Sequence, residues 1–265
     1  MSLLSGNVLI TGATGGIGQA IARAFAQRGA TLALTGRRAD VLEPLAAEVD
    51  GRALTCDLSD RQQVARLIQD LADTEFDVVV ANAAHPGSGL VEEYSQEQID
   101  QILEVNLRAP IAITRALAPG MMERGRGHFV FISSLSGKAA SPASSLYSAT
   151  KFGLRGFSLA LRADLGAHGV GASVVLPGFI RDAGMFADAK IKLPLGVGTR
   201  SPDDVAAGVI RAIEHDRAEV EVAPAGLRLG SSFASVLPQT AARVSRVLGS
   251  EKIARELARG QVDKR

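Results

Sequence analysis

The chain is poor in cysteine and in long apolar runs and carries almost no net charge, and each shortage argues against a class of protein. Cys56 is the only cysteine among the 265 residues, so no disulfide can form within the chain. No apolar run reaches the roughly 18 residues that a membrane-spanning helix needs. The formal net charge is +1, which gives no basis for a nucleic-acid partner.

Metal-binding and secretory signals are also missing. The four histidines have no metal-ligand spacing, so we predict no metal site. No positively charged region precedes an apolar stretch near Met1, so we expect no secretory signal peptide; with a single cysteine, a cytoplasmic location is the expectation. Instead, 46% of the residues are hydrophobic and 22% are charged, which is typical of a globular protein with a sizeable core.

Short apolar runs alternate with longer segments of helical periodicity. The runs are nearly continuous in Val, Ile, Leu and Ala, as in strands that are buried on both faces of a parallel sheet. We therefore predict a doubly wound α/β fold of about seven parallel strands with helices on both faces. The predicted strands are Asn7–Thr11, Thr31–Thr35, Arg52–Cys56, Asp77–Ala81, His128–Ser133, Gly171–Leu176 and Ala218–Val222. The predicted helices are Ile17–Arg28, Asp40–Val49, Asp60–Ala72, Gln96–Ala118, Tyr147–Ala167 and Pro202–His215.

Two segments depart from this alternation. With no linker or repeat in view, we expect residues 1–265 to form one domain. Arg181–Ser201 is a long connection rich in Gly and Pro that we expect to cover the substrate. Apolar residues in it favour an apolar substrate or serve to pack the loop itself: Met185, Phe186, Ile191, Leu193 and Leu195. Ala225–Arg265 is a helical extension that could form a lid, contact another subunit, lie on a membrane surface or pack on its own domain.

The first predicted strand leads into a glycine-rich turn, Thr11-Gly12-Ala13-Thr14-Gly15-Gly16-Ile17-Gly18. Glycines there let the backbone approach a pyrophosphate, and the N-terminus of the following helix supplies unpaired N–H groups and positive potential. The spacing departs from G-x-G-x-x-G, but its position is typical of a Rossmann-like fold that binds a dinucleotide. We expect cofactor contacts from Gly12, Thr14, Gly16, Ile17 and Gly18.

The end of the second predicted strand indicates which dinucleotide. An acidic residue there would hold the ribose hydroxyls of NAD, but the sequence has Gly36 followed by Arg37 and Arg38. Guanidinium groups suit the 2′-phosphate of NADP, because they bind it through charge-assisted hydrogen bonds. We therefore predict NADP(H) as cofactor, with NAD less favoured.

Three polar residues near the fifth predicted strand form a candidate catalytic group. Ser134 follows that strand, Tyr147 comes thirteen residues later, and Lys151 shares a helix face with Tyr147. Reducing a carbonyl with a hydride needs a proton donor at the oxygen, and a free tyrosine has a pKa of ~10. We expect the Lys151 ammonium to lower that value and Ser134 to donate a hydrogen bond to the substrate oxygen.

With these motifs, the chain resembles the short-chain dehydrogenase/reductase family over about residues 5–225. The glycine turn matches T-G-x-x-x-G-I-G, and Tyr147-Ser148-Ala149-Thr150-Lys151 matches Y-x-x-x-K at the expected distance from Ser134. The resemblance implies hydride transfer between a nicotinamide and a carbonyl or alcohol, with Tyr147 as the general acid and base. It also implies that Tyr147 and Lys151 contact the cofactor.

The resemblance carries further roles onto this sequence. Asn106 matches a helix-bending asparagine that holds a water in the proton relay to the lysine. Asp57, followed by Leu58, matches an aspartate that contacts the adenine. Further cofactor contacts are implied for Asn82, Ala83, Ala84, Pro177, Gly178 and Ile180. The family's N-N-A-G is replaced here by Ala81-Asn82-Ala83-Ala84, and Asp182 stands near the place where the family often has a threonine.

Other functions compete with this interpretation. A non-catalytic dinucleotide-binding sensor is the main alternative, although all four candidate catalytic residues are present. Enoyl reductases space the tyrosine and lysine more widely, and sugar epimerases usually have a larger substrate domain. Small residues at Ala149, Gly153, Gly156 and Ala160 form a narrow stripe on the Tyr147 helix, so we expect a homodimer or homotetramer paired through it, unless the stripe packs inside one subunit.

Overall fold

The computed structural model describes residues 2–189 and 197–247 together with Gly260. Its strands are β1 (Asn7–Thr11), β2 (Thr31–Gly36), β3 (Arg52–Thr55), β4 (Val78–Ala81), β5 (Gly127–Ile132), β6 (Val170–Pro177) and β7 (Glu219–Val222). Within the described ranges they form one parallel sheet in the order β3-β2-β1-β4-β5-β6-β7. The predicted fold class is confirmed, and each strand lies within two residues of its predicted bounds.

The helices cover both faces of the sheet. They are α1 (Gly16–Ala26), α2 (Ala39–Glu48), α3 (Arg61–Leu71), α4 (Gln96–Leu103), α5 (Ala109–Glu123), α6 (Ser145–Gly166), α7 (Gly184–Ala189), α8 (Pro202–Glu214), α9 (Ala225–Val236) and α10 (Pro238–Val247). Short 3-10 turns occupy Leu3–Ser5, Val91–Glu93 and Leu135–Gly137. None of the described helices combines the length and apolar character that crossing a membrane requires.

The prediction of one continuous helix is wrong for one segment. The periodicity of Gln96–Ala118 predicted a single helix, but the structure has α4 and α5 joined by a π-helical segment, Glu104–Arg108, with α5 reaching Glu123. A π turn fits an extra residue into the helical repeat. Here it contains Asn106, whose buried side chain bonds outside the helix.

Two hydrophobic cores flank the sheet. Ile21 and Phe25 of α1 pack with Val209 of α8 on one face. Leu67 of α3 and Ile113 of α5 belong to the core on the other face. These cores hold the sheet rigid, so the loops at the carboxyl ends of the strands are presented on one fixed edge. In a doubly wound sheet that edge is where ligands bind.

Candidate active site

The loops that follow the strands enclose a cleft of about 2020 Å³. Of the residues predicted to act in catalysis or cofactor binding, all except Asn106 border it: Gly12, Thr14, Gly16, Ile17, Gly18, Arg37, Arg38, Asp57, Leu58, Asn82, Ala83, Ala84, Ser134, Tyr147, Lys151, Pro177, Gly178 and Ile180. Residues at and beyond the carboxyl ends of six strands, β1 to β6, thus converge on one site.

The glycine-rich turn is shaped by close backbone contacts. Gly12 has a φ of 65°, and a Cβ there would lie 2.6 Å from the Cα of Ala83. A Cβ on Gly18 would lie 2.3 Å from the carbonyl oxygen of Gly12. Only glycine fits either position. Because none of the described side chains caps α1, whose first residue is Gly16, its first N–H groups are available to an anion in the cleft.

Asn82, just after β4, braces this turn. Its Nδ2 donates to the carbonyl oxygens of Thr11 and Gly12, each at 3.0 Å. The hydroxyl of Thr11 in turn accepts from the backbone N–H groups of Asn82 and Ala83 at 3.1 and 3.2 Å. The amide group of Asn82 therefore positions the glycine turn from the neighbouring strand. The sequence analysis did not predict that the Thr11 hydroxyl takes part in these contacts.

The two arginines after β2 have different surroundings. Nη2 of Arg38 donates to the carbonyl oxygen of Thr14 at 2.7 Å, so this side chain also holds the glycine turn. Arg37 is exposed at the cleft, and among the described residues it forms no hydrogen bond or ion pair. A Cβ on Gly36 would lie 2.7 Å from Cγ2 of Thr14, so the glycine lets the strand end approach the turn. Arg37 is the arginine that is available to a ligand.

Asp57 and Leu58 lie at the same end of the cleft. The Asp57 carboxylate accepts hydrogen bonds from the N–H and hydroxyl of Ser59, at 3.0 and 2.8 Å. Leu58 is buried beside it. Cys56, which precedes them, is also buried, and burial above all raises the pKa of its thiol to about 11. The thiol is therefore protonated near neutral pH and acts as a core side chain.

Ser134, Tyr147 and Lys151 meet at the other end of the cleft. Ser134 is hydrogen-bonded to the Tyr147 hydroxyl. Lys151 is only 1% exposed; its Nζ donates to the carbonyl oxygen of Ile132 at 3.0 Å and lies 5.6 Å from the centre of the Tyr147 ring. The three side chains that the spacing predicted to act together are therefore in one place.

The structure does not show the expected lowering of the Tyr147 pKa by Lys151. Burial raises the pKa of Tyr147 to about 12, and the hydrogen bond with Ser134 is what opposes this rise. Burial also lowers the pKa of Lys151 to about 8, because the apolar surroundings disfavour the ammonium. Near neutral pH Tyr147 is therefore a protonated phenol, which can donate a proton. The sequence could not show that burial sets the pKa of Tyr147 and that Ser134 provides the opposing effect.

Asn106 lies behind the cleft instead of bordering it. It is fully buried, and its Oδ1 accepts from the backbone N–H of His85 at 2.6 Å. Its Nδ2 donates to the carbonyl oxygen of His85 at 2.9 Å and to the Thr150 hydroxyl at 3.3 Å. Thr150 then donates to the carbonyl oxygen of Tyr147 at 2.8 Å. Asn106 thus joins the loop after β4 to α6, and it positions Tyr147 through Thr150.

Two residues that sequence reasoning missed fix α6 against β5. The hydroxyl of Ser133 donates to the carbonyl oxygen of Lys151 at 2.9 Å. A Cβ on Gly137 would lie 2.6 Å from that same oxygen, so α6 approaches the Leu135–Gly137 turn closely. Ser133 stands beside Ser134 in the sequence, and only the direction of the side chains distinguishes their roles.

Comparison with known proteins places the chain in a family. The family model described as short chain dehydrogenase matches residues 6–193. The chain is 37% identical over 230 residues to a ketoacyl reductase, HetN, from Nostoc sp., covering 84% of this chain and 80% of that one. It is 40% identical over 179 residues to nodulation protein G from Rhizobium sp., covering 66% and 73% of the two chains. The chain belongs to the short-chain dehydrogenase/reductase family.

Solved structures agree with this assignment. A short-chain dehydrogenase from Sphingobium yanoikuyae in complex with NADPH matches with a TM-score of 0.75 and 28% identity, over 81% of this chain and 87% of that one. A serine dehydrogenase complexed with NADP+ matches with a TM-score of 0.75 and 29% identity, over 83% and 95%. This short-chain dehydrogenase/reductase is thus an oxidoreductase by family, with a Rossmann-like fold.

The connection after β6 completes one wall of the cleft in this short-chain dehydrogenase/reductase. A backbone bridge pairs Ile180 with Arg200 and fixes the two ends of the connection. The rings of Phe179 and Phe186 pack 5.1 Å apart and both border the cleft. Of the apolar residues noted in the sequence, Ile191, Leu193, Leu195 and the side chain of Met185 lie outside the described part of the chain. Asp182 borders the cleft with a φ of 67°.

Proposed function

We propose that the chain is an NADP(H)-dependent oxidoreductase that transfers a hydride between nicotinamide and a carbonyl or alcohol group, with Tyr147 as the general acid and base. The observation that carries this proposal is the hydrogen bond between Ser134 and Tyr147 beside buried Lys151, in the cleft that also contains the glycine turn. A proton donor and a glycine-rich turn that suits a dinucleotide lie in one cleft, as a redox reaction at a carbonyl requires.

The residues of the cleft fit a dinucleotide. The uncapped start of α1 offers backbone N–H groups to a pyrophosphate, which Gly12, Thr14, Gly16, Ile17 and Gly18 would hold. Asp57 and Leu58 would border the adenine. The cofactor would continue past Asn82, Ala83 and Ala84 towards the catalytic end, where Pro177, Gly178 and the backbone of Ile180 would border the nicotinamide.

The choice of NADP over NAD rests on the end of β2. Arg37 is exposed at the cleft and forms no hydrogen bond or ion pair with the described residues. The position that would hold an acidic residue for NAD is Gly36. Two similar solved structures are complexes with NADPH and with NADP+, which supports the same choice here. We therefore assign the 2′-phosphate to Arg37, while Arg38 supports the turn.

The catalytic residues act on the substrate oxygen. The bound nicotinamide supplies the hydride. Tyr147 donates the proton, and its pKa of about 12 keeps it protonated until the oxygen becomes basic. Ser134, which is hydrogen-bonded to Tyr147, stabilises the charge that develops on that oxygen. Lys151 would contact the cofactor, and it contributes a positive charge near the site below its pKa of about 8.

The substrate that we propose is an apolar carbonyl or alcohol. Leu135, Phe179, Phe186, Leu227 and Phe233 border the cleft, and such lining suits an apolar molecule. A 3-ketoacyl compound is one candidate, because a relative 37% identical to this chain is described as a ketoacyl reductase.

A panel of carbonyl compounds of graded size and polarity, with NADPH consumption as the readout, tests this function. Turnover of at least one apolar ketone or ketoacyl compound is expected. Tight NADPH binding with no turnover anywhere in the panel would instead support the non-catalytic sensor.

We also propose a homodimer or homotetramer assembled through α6, in the cytoplasm. Phe152 and Leu159 of α6 are 41% and 36% exposed, beside the open position of Gly156. Gly153, in contrast, packs on Leu107 of its own subunit, so the small residues serve both packing surfaces. Light scattering at micromolar concentration should give a dimer or tetramer; a monomer would refute the assembly.

A further inference from the structure

The first helix of the C-terminal extension lies against the catalytic end of the cleft. Cδ1 of Leu227, in the first turn of α9, is 3.6 Å from the position that a Cβ on Gly178 would occupy. Pro177 and Gly178 end β6 beside the candidate nicotinamide site. The extension therefore begins next to the place where a substrate would react, and both α9 and α10 border the same cleft.

The side of α9 that faces the cleft contains a row of small residues beside two larger apolar ones. Gly226, Gly230 and Ala234 recur every four residues, which places them on one helix face, and all three border the cleft. Both glycines are exposed, and a Cβ on Gly226 or Gly230 would meet no atom of the described residues within 4 Å. The space along this face is therefore open, and Leu227 and Phe233 border it.

The facing helix adds a second small-residue wall. Ala241 and Ala242 of α10, which begins at Pro238, border the same cleft. We call the passage between Gly226, Gly230, Ala234, Ala241 and Ala242 the tail groove. From Ala225 to Val247 the sequence contains no acidic residue, and the hydroxyl of Ser231 donates to the carbonyl oxygen of Arg228 at 2.9 Å. The tail groove thus has small, uncharged walls without acidic residues, and Arg246 of α10 borders the same cleft.

The position of α9 is held by ion pairs on its outer side. Nε of Arg228 lies 3.3 Å from Oε2 of Glu221 on β7, and Oε1 of Glu221 accepts from Nζ of Lys138 at 2.6 Å. Glu221 is 10% exposed, and Lys138 follows the turn after Ser134. The same carboxylate thus connects α9 to the catalytic loop, so the tail groove and the reacting centre keep a fixed relation.

The size of the cleft leaves room for more than a cofactor. A pocket for one drug-sized ligand has a volume of roughly 300–1000 Å³. This cleft measures about 2020 Å³, and the tail groove adds lining residues that are not among those assigned to the dinucleotide. The cleft is therefore large enough for a substrate beside a dinucleotide.

We propose that the tail groove binds a linear hydrocarbon arm of the substrate, and that Gly230 sets the chain length that can be accepted. The substrate class is then an unbranched alkyl or acyl chain that carries its carbonyl at the Tyr147 end. The inference rests on the proposed carbonyl reduction and adds the part of the substrate that is recognised.

Reduction of methyl alkyl ketones by NADPH tests the tail groove, from methyl ethyl ketone to methyl decyl ketone, with methyl adamantyl ketone as a compact reference. For the wild type, kcat/KM should rise roughly three- to fourfold for each methylene that becomes buried. Gly230→Leu should remove this rise for the longer chains, because the leucine side chain enters the passage. The value for methyl ethyl ketone should stay within about twofold.

Ser235→Leu is the matched control, because Ser235 is on α9 but is exposed and does not border the cleft. Leucine is the better helix former at both positions, so neither variant should lose its fold. The tail groove proposal is refuted if chain length does not affect the wild type, if methyl adamantyl ketone is reduced best, or if both variants respond alike. If the wild type reduces no ketone of the series, the carbonyl reductase function fails as well.

Discussion

Lys151 and Tyr147 face one another across a single turn of α6, with Nζ of the lysine 5.6 Å from the centre of the tyrosine ring. The ammonium nitrogen is not directed at the phenol, since it donates to the carbonyl oxygen of Ile132 at 3.0 Å. The polar partner of the Tyr147 hydroxyl is Ser134. This arrangement separates proton donation, by Tyr147, from the positive charge that Lys151 brings to the site.

The first prediction concerns Tyr147 and its partner. Tyr147→Phe should lower kcat by roughly 10²- to 10⁴-fold, because general acid–base groups contribute about that much. NADPH binding, measured by fluorescence titration, should be nearly unchanged, since the ring remains. Near-normal turnover in the phenylalanine variant would refute the mechanism, and a large loss of NADPH affinity would indicate a structural role.

Ser134→Ala serves as the companion variant. It keeps the phenol but removes the hydrogen bond that opposes the rise in the pKa of Tyr147. We expect Ser134→Ala to lower kcat in the wild type but to have no further effect in the Tyr147→Phe variant, because the two side chains act on the same oxygen. Additive losses in the double variant would contradict their joint action.

The second prediction concerns pH. Burial lowers the pKa of Lys151 to about 8 from its ordinary value of 10.5, so the ammonium is lost as the pH rises through about 8. The kcat/KM for NADPH reports groups of the free enzyme, and it should therefore decline above about pH 8. Lys151→Arg should be slower but should lack this decline, because arginine stays charged. A decline at the same pH in both proteins would assign it to another group.

The third prediction separates the two arginines after β2. Arg37→Ala should weaken NADPH by roughly 10- to 150-fold and leave NADH almost unchanged, because a charge-assisted hydrogen bond is worth about 1.5–3 kcal/mol. Arg38→Ala is the matched control: it removes the bond to the Thr14 carbonyl, so both cofactors should weaken together. A wild type that prefers NADH, or an Arg37→Ala variant that loses both cofactors equally, would overturn the assignment.

The fold could be predicted from the sequence because each strand has its own local signal. Val78-Val79-Val80 and Phe129-Val130-Phe131 are continuous apolar runs, and burial on both faces is the only environment that suits them. The π segment around Asn106 could not be predicted from the apolar periodicity, which continues through it; only the resemblance to a helix-bending asparagine indicated an irregularity there. What distinguishes it is a buried amide that bonds to His85, and that contact depends on the folded loop.

The candidate site was predictable in its membership and less so in its roles. The spacing of Ser134, Tyr147 and Lys151 indicated which residues meet, since a strand end and one helix face fix their positions. It could not show that the side chains of Asn82 and Arg38 donate hydrogen bonds to the backbone of the glycine turn. Nor could it show the tail groove, because the spacing of Gly226, Gly230 and Ala234 does not indicate what that face of the helix borders.

The last prediction concerns stability and a histidine remote from the cleft. His128 on β5 is 2% exposed, and its Nε2 is 2.7 Å from the hydroxyl of Ser173, which donates to the carbonyl oxygen of Arg217 at 2.6 Å. Because the Ser173 hydroxyl already donates its hydrogen to Arg217, Nε2 of His128 is the donor in the bond between His128 and Ser173. Burial above all lowers the pKa of His128 from 6.5 to about 4, with Asp216 opposing the shift and Arg162 adding to it.

The unfolded chain therefore binds a proton at His128 that the folded chain does not bind between about pH 6.5 and pH 4. The free energy of unfolding should be highest above pH 6.5 and should fall by up to about 3 kcal/mol as the pH decreases to about 4. Urea unfolding of the wild type and of His128→Gln across this range checks the effect, because glutamine keeps a donor without titrating. The His128→Gln variant should lose that part of the slope, whereas His168→Gln, at an exposed histidine, should keep it. Equal slopes in the wild type and His128→Gln would show that other groups set the acid sensitivity of the fold.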